Sequence, residues 1–474
     1  MTSFLPAGFN LFESAILFYF FLINLFYALF IALSIAGISR HRTLLKYVDL
    51  KDLFAQPLVK PITVIAPAYN EEETIVESVR SLLSLEYPVY EVVLVNDGST
   101  DKTMDRLTEA FQLKKTKKVF RRTIMTKLVR GIYVSAIEPK LILVDKINGK
   151  KADAMNAGLN VAHYPLFCAI DCDSVIDRDA LLKMARPFHE DPERTVAVGG
   201  IVRLINGCLI RNGQVRKVGM PRSWLARFQI IEYLRAFLGG RMGLSMLNSQ
   251  LIISGAFGMF RKDIVLQCGG YQPDAIGEDM DLVLRIRRRL HEQKIPFRIS
   301  FIPDPVCWTQ APESWKSLLN QRNRWQRGLI QVLQRNAKMI FNPRYGITGL
   351  FALPFYLFFE MLSPLIELAG YAVFTYSVLA GNLNGPFALR FFFLAVVLGT
   401  LLSLSSIILE EYSERRFPRL ADVIILFFCG VMENLGYRQV LALIRSKGFI
   451  DCFRGKTEWG AMERKKFKLK PSKS

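Results

Sequence analysis

Asp171-Cys172-Asp173 is the first cluster in this chain whose residue types could do chemistry. Two carboxylates one residue apart, following the apolar run Leu166-Phe-Cys-Ala-Ile170, suit a hard divalent cation such as Mg2+ or Mn2+. A diphosphate would supply further oxygens, and the cation would neutralise charge on a departing nucleoside diphosphate. The same spacing also suits a turn that merely caps the next helix, so the pair gains meaning from its company.

That company is spread along the chain. Asp97, in Asn96-Asp97-Gly98-Ser99, ends a second apolar run; it is either a turn residue or a hydrogen-bond partner for a nucleotide base. Tyr69-Asn70-Glu71 follows a third apolar run that stops at Pro67. Lys151 is a solvated lysine or, beside an acidic metal site, a phosphate partner. Ser254-Gly255-Ala256 permits close backbone approach, as a substrate floor or a strand bulge would need. Glu278-Asp279 opens a helical run, where acids act as caps or as a base for an acceptor hydroxyl. Gln321, Arg324 and Trp325 share a helical face. That face belongs to an amphipathic membrane helix, or it offers a guanidinium to diphosphate and an indole to a sugar.

The elements that must position these groups alternate. Apolar runs at 62–66, 91–95, 141–144 and 166–170 read as strands, and Ile75, Val79, Leu82 and Leu83 recur at helical spacing. This texture predicts an α/β unit with a mostly parallel sheet covered on both faces. In such sheets ligands bind at the carboxyl ends of strands, where Tyr69-Asn70-Glu71, Asp97 and Asp171-Asp173 all fall.

Apolar stretches flank this unit. The 474 residues are 51% hydrophobic and carry a formal charge of +20. The basic residues gather beside apolar segments, which favours a membrane surface over nucleic acid or a phosphate-rich substrate. Residues 14–38 hold no charge and end at Arg40-His41-Arg42, so a retained anchor with its N-terminus outside is expected. Segments 349–379 and 391–409 read as a membrane hairpin, since Arg415, Arg416 and Arg419 mark the cytoplasmic side of the second. Residues 421–443 are expected to lie in the interface, a fourth crossing being the alternative. Glu360, Glu367 and Glu433 then snorkel or line a polar path. The seven cysteines form no C-x-x-C pair and no zinc spacing, and read as idle thiols in a reducing compartment.

Taken in order, these segments resemble the processive membrane glycosyltransferases of family 2, which include poly-N-acetylglucosamine, hyaluronan and cellulose synthases. The resemblance runs from Pro61 to Trp325 and rests on P-x-Y-N-E, Asp97, K-x-x-A-x-N from Lys151 to Asn156, D-x-D, G-E-D and the distinctive Q-x-x-R-W. It implies a GT-A catalytic domain, Rossmann-like, inserted between transmembrane helices. The implied division is an anchor at 1–45, a cytosolic catalytic domain at 55–310 and interfacial helices at 311–347. A hairpin at 348–412, the interfacial or fourth segment at 413–447 and a basic tail at 448–474 follow. The implied roles are nucleotide-sugar binding by Tyr69, Glu71, Asp97, Lys151 and Asp171, metal binding by Asp173 with Asp171, and general base by Asp279. Gln321, Arg324 and Trp325, with Glu278, Ser254 and Gly255, would serve diphosphate and acceptor.

The expected activity is inverting transfer from a UDP-sugar, with Mg2+ or Mn2+, to a β-linked polysaccharide that is built and secreted from the inner membrane. Growing glycan, membrane lipids and accessory export proteins are the implied partners, and nucleic acid is not one. A single-sugar transferase acting on a lipid is the second expectation, and an inactive sugar-nucleotide-binding scaffold the third. Residues 102–140 are basic and fit no family segment; they touch anionic lipid or form a solvated hairpin. The tail has no R-x-x-x-R arm, so cyclic-di-GMP regulation is not expected.

Overall fold

The computed structural model describes residues 7–47, 59–117, 120–211, 213–381, 385–414, 417 and 419–456. Lys118, Arg415, Arg416 and the tail beyond residue 456, on which charge arguments leaned, lie outside the described residues.

The centre is a ten-stranded sheet. Its strands are β1 (Ile62–Ala68), β2 (Tyr90–Asp97), β3 (Leu113–Thr116), β4 (Val129–Ser135), β5 (Leu141–Lys146), β6 (Leu166–Ile170), β7 (Val175–Ile176), β8 (Thr195–Leu204), β11 (Phe257–Arg261) and β12 (Arg298–Thr309). A separate hairpin joins β9 (Leu209–Arg211) to β10 (Gln214–Lys217). The order is β3-β4-β5-β2-β1-β6-β11-β8-β12-β7. The inner run β5-β2-β1-β6 is parallel throughout, as the alternating pattern predicts. Antiparallel strands are added on both sides: β3 and β4 at one edge, β11 and β7 toward the other.

Burial on both faces explains the sequence texture. Every residue of β2, β5, β6 and β8 is buried, so these strands read as unbroken apolar runs instead of alternating ones. The unassigned basic stretch supplies a helix, Thr103–Phe111, and the β3–β4 edge hairpin. The side chains of Lys114 and Lys115 are exposed there, as solvated edge strands require.

Among the described residues three helices are long and apolar enough to cross a membrane: Leu11–Lys46, Gly385–Ser413 and Leu420–Phe453. A fourth crossing is available if Thr348–Met361 and Ser363–Leu379, which meet at a 43° bend, act as one. The stretch expected in the interface is thus longer than its apolar part suggested. It breaks where Leu435 and Gly436 leave helical geometry, the latter at φ 114, and resumes as Arg438–Phe453.

Between sheet and apolar helices lies a segment that sequence reasoning did not isolate. Trp224–Leu234 continues through a π-helical stretch, Arg235–Arg241, into Met242–Met246. Trp224, Phe228, Tyr233 and Phe237 interleaved with Arg222, Arg227, Arg235 and Arg241 were the available signal of an interfacial helix. Gly243 sits on the N-terminal helix, where a Cβ would lie 2.7 Å from the Phe30 carbonyl oxygen. Ser34 donates to the Gly239 carbonyl at 3.0 Å. Ion pairs tie the layers together. His41 Nε2 meets Asp304 at 2.7 Å while its Nδ1 faces Arg186; Arg203 pairs with Glu410, and Arg235 with Glu433 at 2.6 Å.

Candidate active site

The site is built from the carboxyl ends of the three central strands. Register places Ala68 of β1 opposite Asn96 of β2, and β1 beside β6, so residues 69–73, Asp97 and Asp171–Asp173 emerge together. β11 runs antiparallel to β6 with Phe257 opposite Ile170, which brings Ser254-Gly255-Ala256 to the same end. Asp171 N donates to the Ala256 carbonyl at 3.3 Å.

Asp97 is buried and held tightly. Its Oδ1 accepts from Lys146 Nζ at 2.6 Å and from Gly149 N at 2.9 Å. Gly98 makes the turn possible: it sits at φ 70, and a Cβ would lie 2.6 Å from Asn148 N. Lys146 is fully buried and also meets Asp153 Oδ2 at 2.6 Å. It therefore joins Asp97 to the first turn of the Lys150–Val161 helix, which carries Lys151. Sequence reasoning missed Lys146 because its run was read as ending at Val144; a lysine continuing a buried strand was the signal.

The loops after β1 and β2 zip together. Ser99 Oγ accepts from Asn70 N at 3.0 Å, Asn70 Oδ1 from Thr100 N at 2.8 Å, and Thr103 Oγ1 from Glu71 N at 2.9 Å. Asn70 takes a left-handed φ of 55 to do so. The result displays Tyr69, which is 49% exposed, at the mouth of the site.

Lys151 lies at the crossing point. Its Nζ reaches Asp171 Oδ1 at 2.5 Å, the Gly255 carbonyl at 2.9 Å and Glu278 Oε1 at 3.8 Å. Burial pulls its ammonium down, but Asp171, Glu278 and Asp279 outweigh that and hold it above its ordinary value. Burial pushes the Glu278 carboxyl up to about 7, with Lys151 opposing and Asp279 adding. Asp279, in the first turn of the Glu278–Glu292 helix, accepts from Gly255 N at 3.2 Å through Oδ2. Gly255 thus links the lysine and this carboxylate through adjacent backbone groups.

The far wall is the Trp315–Arg335 helix. Gln321 is buried, Arg324 is largely enclosed and Trp325 is 45% exposed with the Arg322 guanidinium 4.2 Å over its ring. Burial lowers the Arg324 guanidinium, opposed by Glu278, Asp279 and Asp171. Gly328, not singled out from sequence, lets this helix approach the turn before Glu278: a Cβ there would lie 3.2 Å from Gly277 N.

A cavity of about 1430 Å3 gathers all of these groups. Tyr69, Glu71, Asp97, Lys151, Asp171, Asp173, Ser254, Gly255, Glu278, Asp279, Gln321, Arg324 and Trp325 all line it. It continues past Arg241 and Glu360 to Tyr19, Tyr27, Tyr371 and Leu394 on the apolar helices. The described residues contain no group of three or more acidic, His or Cys side chains able to hold a metal alone. Asp171 and Asp173 on the cavity wall fit an ion shared with a diphosphate instead. All seven cysteines are free thiols.

Comparison with known proteins agrees with this layout. Residues 60–328 match the family described as glycosyltransferase like family 2, and residues 274–426 match one described as chitin synthase. A poly-beta-1,6-N-acetyl-D-glucosamine synthase of Staphylococcus epidermidis is 29% identical over 278 residues, covering 59% of this chain and 57% of that protein. The namesake of Staphylococcus aureus (strain COL) is 28% identical over 276 residues, covering 58% and 56%. The match thus spans just over half the length of these curated relatives. A mannosyltransferase of Pyrobaculum calidifontis, solved in complex with GDP-Man and Mn2+, superposes with a TM-score of 0.50 at 20% identity, covering 86% of this chain and 99% of that one. That likeness carries the GT-A-like fold. With the family match covering more than half of its residues, this membrane protein belongs to the family-2-like glycosyltransferases.

Proposed function

We propose that the chain is an inverting glycosyltransferase that moves sugar from a UDP-sugar to a growing β-linked glycan and exports the product through its membrane helices. The observation that carries this reading is the single cavity that holds Asp97, Asp171 and Asp279 and runs on between apolar helices. A polymer must leave while its end stays at the donor, and a cavity that continues from the strand ends to the apolar helices supports that. The relatives' names as poly-beta-1,6-N-acetyl-D-glucosamine synthases support a polymer of that sugar class.

In this mechanism Asp97 and the Tyr69–Glu71 loop hold nucleoside, and Lys151 and Arg324 take diphosphate oxygens. Asp171 and Asp173 would hold Mg2+ or Mn2+, which when bound would neutralise charge on the leaving diphosphate. Asp279 takes the proton from the acceptor hydroxyl, whose oxygen attacks the anomeric carbon from the face opposite the diphosphate. The carbon–phosphate-oxygen bond breaks, UDP leaves with the electron pair, and configuration inverts. Trp325 and Gln321 orient the acceptor sugar. On this reading the sheet domain faces the cytoplasm and the helices sit in the inner membrane, in contact with lipids and export partners.

A second reading, transfer of one sugar to a lipid, is favoured by the apolar membrane-side wall of Phe20, Ile23 and Leu394, a surface for a lipid tail. Incubating purified protein with a panel of UDP-sugars and Mg2+ or Mn2+, then sizing the product, separates the two. The polymer reading expects UDP release with one sugar and a ladder of products; one added sugar on lipid would sink it.

A further inference from the structure

Asp451, near the end of the Arg438–Phe453 helix, closes a ring of polar contacts behind the Trp315–Arg335 helix. Its Oδ2 accepts from Asn323 Nδ2 at 3.0 Å, and its Oδ1 meets Lys456 Nζ at 3.0 Å. Arg327 completes the circuit: its Nη1 donates to the Lys456 carbonyl, and its Nε donates to Asn323 Oδ1 at 2.9 Å. Asn323 thus uses both ends of its amide, and Asp451 both of its oxygens. Asn323, Arg327 and Asp451 are buried. A buried acid is costly unless it is paired in this way.

None of these four residues lines the cavity, whereas Gln321, Arg324 and Trp325 do. Helix geometry separates the two sets. With about 3.6 residues per turn, Asn323 and Arg327 share one side, and Gln321, Arg324, Trp325 and Gly328 share another. The circuit therefore grips the helix from behind the residues that face the cavity. Neighbouring contacts fix the grip. Arg322 pairs with Glu232 at 2.6 Å. Arg445 Nε donates to Gln326 Oε1 at 3.0 Å, and a Cβ on Gly448 would lie 3.0 Å from the Gln326 Cβ. A fully satisfied buried polar network specifies one arrangement of the elements it joins. Arg324 follows Asn323 directly, so a rotation that breaks the circuit turns the Arg324 guanidinium away from the cavity.

We infer that Asp451 is a positioning residue for Arg324: through Asn323, Arg327 and Lys456 it sets the rotation of the Trp315–Arg335 helix about its own axis. This rests on the transferase reading, in which Arg324 takes diphosphate oxygens. It goes beyond that reading by making the last helix part of the diphosphate site's alignment.

The test measures UDP affinity by titration calorimetry on the full chain in detergent with MnCl2, and so needs no turnover. Asp451→Ala should weaken UDP about tenfold, the loss of one charge-assisted hydrogen bond. In an Arg324→Ala background the same substitution should change UDP affinity by less than about twofold, because the residue it aims is gone. A purely structural role predicts the same loss in both backgrounds, and that result overturns the proposal, as does unchanged affinity in Asp451→Ala. The exchange Asn323→Asp with Asp451→Asn rebuilds the circuit: the carboxylate at 323 accepts from Arg327 and from the amide at 451, whose carbonyl accepts from Lys456. It should return UDP affinity to within about threefold of wild type, and no recovery overturns the proposal. If Asp451→Ala does not fold, Asn323→Ala must show the same dependence on Arg324, and a loss independent of Arg324 overturns it. A wild type that binds UDP but releases none from any UDP-sugar sinks the proposed function alone, while the binding cycle still decides the role of Asp451. If the wild type binds GDP and not UDP, the UDP reading fails and the cycle is run with GDP. Binding of neither overturns the positioning role as well.

Discussion

Lys146 holds Asp97, at the end of β2, in place. It is fully buried between Asp97 and Asp153, 2.6 Å from each. Removing one partner from a buried charge cluster leaves the others unpaired, at a cost of about 3–5 kcal/mol. Lys146→Met should therefore lower the thermal midpoint in detergent, and Asp153→Asn in the same chain should restore part of it. Where Lys146→Met folds, the donor KM should rise more than kcat falls, because Asp97 loses its orientation; equal changes would leave Lys146 a purely structural residue. Glu278 adds a pH signature. Its folded-state carboxyl is raised to about 7 by burial, so the folded chain binds more protons than the unfolded one between the ordinary carboxylate range and about 7. Stability then falls as pH rises through that window. Glu278→Gln should flatten this slope between pH 5 and 7.5, read by thermal melts; an unchanged slope would remove Glu278 as its source. Sequence made the acids at strand ends legible because they interrupt apolar runs. It hid Lys146, whose partners Asp97 and Asp153 are set by folding and not by spacing.

At the scale of elements, the site depends on close approach. The Trp315–Arg335 helix reaches the turn before Glu278 only because Gly277 and Gly328 face each other, with 3.2 Å from a Gly328 Cβ to Gly277 N. Gly328→Ala should push this helix away by a few tenths of an ångström, costing about 1–3 kcal/mol as overpacking does. Transfer should drop while donor binding holds, because Arg324 and Trp325 move with the helix and Asp97 does not; isotopic transfer beside nucleotide binding checks this. The parallel inner strands were legible, since burial on both faces writes itself as continuous Val, Ile and Leu. The antiparallel additions β4 and β11 were not, because register and direction leave no trace in composition. The Trp224–Met246 segment was hidden for a related reason: it faces sheet on one side and apolar helices on the other, so no single polar face gives it a period.

At the scale of the molecule, ion pairs far apart in sequence lock sheet to helices. Glu433 is fully buried and shared by Arg235 at 2.6 Å and Ser403 at 2.6 Å. Hydropathy alone marks such an acid as an anomaly; the structure shows it facing protein. Glu433→Gln should destabilise the whole assembly by about 3 kcal/mol, the cost of stranding a buried cation, seen as a lower melting midpoint and earlier loss of transfer on heating. Wild-type stability in that variant would mean Arg235 finds another acceptor. The central claim is that one cavity joins a donor site to an acceptor site with Asp279 between them. The direct measurement pairs UDP-sugar binding with transfer in Asp279→Asn. The account predicts donor binding within about threefold of wild type and transfer reduced by roughly 100-fold or more, as loss of a general base requires. Transfer at the wild-type rate in that variant would contradict it.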